Sequence, residues 1–487
     1  MTNKTNVIRA SVTGVTGIIS AGAVALGIAA LVTLPLPEYV GTSPALSIAP
    51  VPAVQQRVCP GPLVDVMSMG TQDITFISSA QPEYLESSSE KNFDNSWLNA
   101  IDNQSDALSA APQVISVPPV ESADQAPLLA GNQLQLTTTE AMSGLAGAAC
   151  TEPANDMWLV GGSTEVGRTT LLMLANPTDV TATVTVEIFS EKGYIDAVST
   201  EGIIVEPGQQ RIVSLAGYAP DVISPVVRVK SNGGQVLANL QQTVTRTLMP
   251  SGVEWVAPAS GLATQQIIPG VFVTGQEDHD RSEIGDVISD LEPGIRVVLP
   301  GDKDSTVAVT LLSSTGKKVE FTANLKAKKV TQLPLAGIPD GSYTVIVTSQ
   351  EPLVAGIRTV QDAVETGTPD PASPVTGGDF TWTNSSSYLT EKILIPVPAG
   401  PAPTVTFYNP ANKTAEITLS AQGQQDVKLS VKAGEMVTTP LISATKYSAT
   451  GVKGLVGGLT FTGPGIGSAI ALNPANVLGS PITVYPR

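Results

Sequence analysis

The sequence predicts an all-β protein, a set of tandem immunoglobulin-like β-sandwich domains that follow one N-terminal transmembrane helix. Three observations lead there. Apolar and polar residues alternate with a two-residue period in many short runs, which gives a strand one buried and one wet face. A unit of strands and turns recurs at the spacing of one domain. The chain also opens with a basic segment and then an uncharged apolar stretch long enough to span a bilayer.

The basic segment holds Lys4 and Arg9, the apolar stretch runs over Ala10–Leu36, and the next cation is Arg57. The positive-inside bias makes residues 1–9 a cytoplasmic tail and puts everything after about Glu38 outside the cell membrane, a single-pass arrangement with extracytoplasmic domains. A secretory signal has an apolar core of about 7–15 residues, shorter than this one. An uncleaved signal anchor over residues 10–36 is therefore expected, with a removed signal as the alternative. The ridge Ala21-x-x-x-Ala25-x-x-x-Ala29 suits close helix approach, but it reads first as small-residue filler of an anchor.

Residues 38–150 form an N-terminal region that carries both cysteines, Cys59 and Cys150. Outside a membrane a bridged pair is the default; in the cytosol the same two would be incidental thiols, and free cysteines stay open as an alternative. A bridge would close a loop of about 90 residues and remove roughly 4–5 kcal/mol of unfolded-state freedom in the chain-entropy model. From about Ser78 to Asp124 the region is rich in serine and acid and reads as an excursion inside that loop, with a weak helical suggestion at Ser96–Leu108. The region is expected to complete or cap the first sandwich. A net charge of −17 excludes nucleic acid as a partner. It also disfavours adsorption to anionic headgroups.

Three copies of one unit follow. Residues 151–265 are read as the first sandwich repeat and 266–364 as the second. The stretch 365–379, "ETGTPDPASPVTGGD", is a Pro/Gly/Ser-rich linker, and 380–487 is the third repeat. Each copy has a strand ending in a turn, "LLMLANPTD", "IRVVLPGDKD" or "VTFYNPANK". The turn prolines Pro177, Pro300 and Pro410 lie about 120 and 110 residues apart, the size of one domain. An alternating strand comes next, as at Val180–Ile188 or Val307–Leu311, and then a glycine turn at Gly193, Gly316 or Gly423. The copies close on "VLANLQQT", "LVAGIRTV" and "LVGGLTFT".

Candidate chemistry is sparse. "GGSTEVGRTT" (Gly161–Thr170) has every residue of a phosphate-binding loop except the lysine, for which Arg168 stands. A phosphate loop must feed a helix, and "TTLLMLANPTD" reads as a strand, so no nucleotide is expected. His279 lies in a charged loop without a nucleophile signature, and no His/Cys pair has zinc-ligand spacing. "GDKDST" (Gly301–Thr306) and "DNQSD" (Asp102–Asp106) lack the spaced oxygen ligands of a calcium loop and read as turns. The four tryptophans, Trp97, Trp158, Trp255 and Trp382, mostly fall at the seams between repeats, which points to packing rather than to a sugar platform. No catalytic, cofactor or metal residue is assigned.

With these motifs in hand, the chain resembles a family of exported actinobacterial proteins known as domain of unknown function 5719. The resemblance rests on "RVCPGPL" (Arg57–Leu63), "ACTEPANDMWLVGGSTEVGRTTLLMLANP" (Ala149–Pro177), "EWVAP" (Glu254–Pro258) and "PGVFV" (Pro269–Val273). It implies one N-terminal membrane segment and a pairing of Cys59 with Cys150. It also implies genes near a glycosyltransferase, and it assigns no catalytic residue. The resulting expectation is a non-enzymatic, membrane-anchored scaffold or adaptor of the cell envelope. Its expected partners are the membrane through the N-terminal helix, an envelope protein or glycosyltransferase, and a cell-wall glycan. The alternative is a carbohydrate-binding module or an envelope glycan hydrolase using loop carboxylates.

Overall fold

The computed structural model describes residues 46–48, 54–65, 75–76, 81–89, 93–100, 111–118, 127–197, 199–246, 248–274, 292–335, 337–361, 378–472 and 482–484. The expected span 10–36 lies outside them, as do His279 and Asp102–Asp106. No helix among the described residues is long and apolar enough to cross a membrane. The chain divides into two compact units, Pro52–Gly479 and a smaller one made of Met1–Val51 with Ser480–Arg487. In the smaller unit, β1 (Leu46–Ile48) pairs antiparallel with Ile482–Val484, joining segments from the two ends of the chain.

The larger unit is all β, and its strands fall into four sets. The first set holds β2 (Gln55–Val58), β3 (Val64–Asp65), β4 (Thr75–Phe76), β5 (Glu83–Ser88) and β6 (Asp94–Trp97). It continues with β7 (Asn99–Ala100), β8 (Gln113–Val117), β9 (Leu129–Thr138) and β10 (Ser143–Cys150). The second holds β11 (Asp156–Val160), β12 (Arg168–Asn176), β13 (Ala182–Ser190), β14 (Gly193–Ile195) and β15 (Ile203–Val205). It ends with β16 (Gln209–Ser214), β17 (Val226–Gly233), β18 (Leu237–Arg246) and β19 (Met249–Val256). The third holds β20 (Ala263–Val273), β21 (Gly294–Val298), β22 (Ser305–Ser313) and β23 (Lys318–Leu325). After them come β24 (Thr331–Pro334), β25 (Gly341–Gln361) and β26 (Asp379–Asn384). The fourth holds β27 (Lys392–Val397), β28 (Thr404–Tyr408), β29 (Ala415–Ala421) and β30 (Val427–Val431). It is completed by β31 (Met436–Pro440), β32 (Thr445–Thr450), β33 (Val456–Gly463) and β34 (Ile466–Ala471).

One pairing scheme runs through all four sets. The outer sheets read β2-β8-β6, β11-β17-β13-β14, β20-β25-β22-β23 and β27-β32-β29-β30. The inner sheets read β10-β9-β5, β19-β18-β12-β16, β26-β25-β21-β24 and β34-β33-β28-β31. In the third set the single long strand β25 serves both sheets. Its first half pairs β20 and β22, its second half β21 and β26. In the second set the same path is cut into β17 and β18 near Gly233, whose φ of 86° lies in the left-handed region.

Alternation explains the two layers. In β13, Ala182, Val184, Val186 and Ile188 are buried while Thr183 is exposed; in β22, Val307, Val309 and Leu311 are buried while Thr306 and Ala308 are exposed. The buried faces meet those of the inner sheets, as when Val184 and Val229 share a core with Leu172 and Leu240. Each such side chain contributes about 1.5–3 kcal/mol by leaving water.

The four inner sheets meet at one place. Their last strands touch in a closed ring, β10 on β19, β19 on β26, β26 on β34, and β34 back on β10. These strands are buried on both faces and do not alternate. Small residues allow the approach: a Cβ on Gly144 would stand 2.6 Å from Asp379 Oδ1, and one on Gly252 would stand 2.5 Å from the Phe380 ring. The N-terminal region does more than cap its neighbour. It repeats the same strand order itself, and it also lends β7 in parallel to the free edge of β16.

Candidate functional site: a carboxylate pair inside the ring

A strand at the end of a sheet has N–H groups without a ladder partner, and burying them unpaired is costly. Four such strands converge in the ring, and two acids receive their donors. Asp379, the last residue of the expected linker, is instead the first residue of β26 and is buried. Leu145 N of β10 donates to its Oδ2 at 2.9 Å, Gly467 N of β34 to the same oxygen at 3.3 Å, and Phe380 N to Oδ1 at 2.9 Å. Val253 N of β19 donates as well, so one carboxylate collects all four strands. Glu254, fully buried in β19, accepts from Gly147 N at 3.0 Å and Trp255 N at 2.9 Å through Oε1. Its Oε2 meets Ser468 Oγ of β34 at 2.8 Å.

Burial pushes the Glu254 carboxyl well above the usual range, and the Asp379 charge adds to that, while Gly147, Ser468 and Trp255 oppose it. Burial likewise raises Asp379, to about 7, against its four N–H donors. A cage of donors suits an anion and repels a cation. Among the described residues no three His, Cys, Asp or Glu side chains gather as metal ligands would.

Cys59 and Cys150 are joined in a disulfide, their Cα atoms 4.0 Å apart across a sequence separation of 91. Both are buried. The chain leaving Cys59 toward β3 is held by glutamine side chains. Gln133 pairs both the N–H and the carbonyl of Gly61, at 3.1 and 2.7 Å, and Gln241 does the same for Val64, at 2.8 Å each. Gln135 accepts from Leu63 N at 3.0 Å and Gln210 donates to Pro60 O at 3.1 Å. Leu63 and Val64 then lie in a core with Met173, Ile212 and Trp255.

The glycine-rich stretch Gly161–Thr170 runs directly into β12, which begins at Arg168. Thr170 Oγ1 accepts from Ser163 N and donates to Ser163 O, and Ser163 Oγ donates to Val222 O. No helix N-terminus stands behind this loop to face an anion. Asp302 and Asp304 are paired with Lys328 and Lys326. Trp158, Trp255 and Trp382 are buried. Arg228 lies over the Trp158 ring, and the buried Arg296 lies over Trp382 at 4.6 Å. Trp97 is 38% exposed and packs edge-on against Tyr84. An open groove lined by Asp304, Thr306, Asn324 and Lys326, and another lined by Glu201, Arg211 and Tyr218, hold one carboxylate each.

The carboxylate pair went unread in the sequence, where "VEWV" and "GDFTW" draw the eye to tryptophan. The available signal was one acid inside an otherwise uncharged strand.

No curated protein matches this sequence. A solved structure described as the crystal structure of Thermotoga maritima 1070 is 18% identical, covering 25% of this chain and 92% of that chain with a TM-score of 0.19. The BSP domain of a biofilm-associated protein is 9% identical, covering 91% of this chain and 100% of that chain with a TM-score of 0.11. Scores this low carry no structural argument. The family model is another matter, since it matches residues 105–445: the chain belongs to the family of unknown function DUF5719.

Proposed function

We propose that the protein is a non-enzymatic scaffold or adaptor of the cell envelope, anchored through residues 10–36 with its sandwiches on the extracytoplasmic side. The observation that carries this reading is the placement of the acids. A glycan hydrolase needs two carboxylates within reach of its substrate. Glu254 and Asp379 are instead enclosed by four strands, their oxygens occupied by the protein's own donors. The buried disulfide suits an oxidising compartment. We read the sandwiches as immunoglobulin-like, because β12 pairs β16 and β13 pairs β17, as strands B with E and C with F do in that fold. They depart from it at β11 and β18, which trade sheets.

The partners that fit are an envelope protein, a membrane glycosyltransferase or a cell-wall glycan. The exposed ring of Trp97, packed against Tyr84, favours the carbohydrate-binding alternative, since an exposed ring can stack on a sugar. Proximity labelling from the full-length anchored protein, read by mass spectrometry, is expected to recover a membrane glycosyltransferase among extracytoplasmic proteins. A labelled set made of cytoplasmic proteins, or release of reducing sugars from cell-wall glycan by the purified protein, would contradict the reading.

A further inference from the structure

The two acids inside the ring are not equivalent. Both oxygens of Asp379 face backbone N–H groups. Those groups cannot accept, so a proton placed on Asp379 would point at donors. Glu254 Oε1 is likewise taken by two N–H groups, but Oε2 meets the Ser468 hydroxyl at 2.8 Å, and a hydroxyl accepts as readily as it donates. Two anions in one buried cage would repel each other, so the site favours dividing the roles.

No other ionisable side chain lies on the strands that form the ring. β10 holds none beyond the bridged Cys150, β34 holds none, and β19 and β26 hold only Glu254 and Asp379. Around them β9, β20 and β33 carry none. β18 ends in Arg246, and β25 carries Tyr343, Glu351 and Arg358. Of these, Tyr343 donates to Pro339 O and Arg358 to Glu292 O.

We propose that the ring is closed by one charge and one proton. Glu254 is a neutral carboxylic acid that donates its Oε2 hydrogen to Ser468 Oγ, and Asp379 is the anion that gathers the four inner strands. Loss of the Glu254 proton puts a second charge into the same cage and loosens the ring, which makes the centre a pH-sensitive lock.

The sign follows from linkage. Both acids hold protons more tightly folded than unfolded, so stability is full at low pH and falls as pH rises. Asp379, raised to about 7, carries its charge above neutrality, where its four N–H donors offset part of the cost of its burial. Glu254, whose proton has an acceptor waiting, loses its share as pH rises through its own raised value.

The test is urea unfolding of the full-length protein, followed by tryptophan fluorescence between pH 5 and 10, in wild type, Glu254→Gln and Asp379→Asn. An amide in place of the acid keeps a donor toward Ser468 and an acceptor toward Gly147 and Trp255. Glu254→Gln should therefore match the wild-type midpoint at pH 6 and escape part of the loss that wild type shows above neutrality. Asp379→Asn turns a donor toward donors, as a protonated Asp379 does, so its midpoint should fall below wild type above neutrality or the protein should fail to fold. Glu254→Gln alone decides the matter. A midpoint at pH 6 well below wild type, or an alkaline loss equal to wild type, would overturn the proposal.

Discussion

Asn176 and Asn409 show how much one side chain can settle. Asn176 ends β12 and Asn409 follows β28, each precedes a proline, and each makes the same three bonds within its own set of strands. Asn176 Nδ2 donates to Val180 O and Val205 O at 2.8 and 2.9 Å, and its Oδ1 accepts from Thr178 N at 3.0 Å. Asn409 Nδ2 donates to Lys413 O and Val431 O at 2.7 and 2.8 Å, and its Oδ1 accepts from Ala411 N at 3.0 Å. The repeated Asn-Pro was legible in the sequence as a turn; its second role, tying the turn to a strand more than 20 residues away, was not. Replacing either by Ala should leave a buried group unpaired and cost about 1–3 kcal/mol, read as a lower urea midpoint. Gly144 is a second case. Alanine there meets both a φ of 151° and the Asp379 oxygen at 2.6 Å, so Gly144→Ala should destabilise although it adds one methyl.

Among the elements, the stretch Cys59–Val64 is the least expected. Pro60 and Pro62 have no N–H to give a ladder, so glutamine amides from β9, β16 and β18 supply the partners that a strand would. Gln241→Ala should strip Val64 of both its bonds and lower stability by about 2 kcal/mol or more. Hydrogen exchange at Val64 should rise with it. The disulfide pins the head of this stretch. Replacing Cys59 and Cys150 together by Ser should cost roughly 4–5 kcal/mol in the chain-entropy account, visible by comparing urea midpoints with wild type. Strands β13, β22 and β29 were plain in the sequence because one face is wet and one is dry. β10, β26 and β34 were not, because strands buried on both faces lose their alternation.

For the Pro52–Gly479 unit, three of the four sets of strands left a mark in the sequence and the first did not. Strands β2 to β8 are short, β6 is "DNSW" with every residue exposed, and serine and acid fill the spaces between them. The ring was hidden for a different reason: its bonds join residues 107, 214 and 234 positions apart, and no local pattern records them. The ring should make the four sets of strands open as one cooperative body. Native-state hydrogen exchange across a urea series tests this most directly, because it gives an opening free energy for each strand. Strands β10, β19, β26 and β34 are expected to share one value, equal to that of global unfolding, and Asp379→Asn should lower all four together. Four separate values, or a loss confined to β26 in that variant, would contradict it.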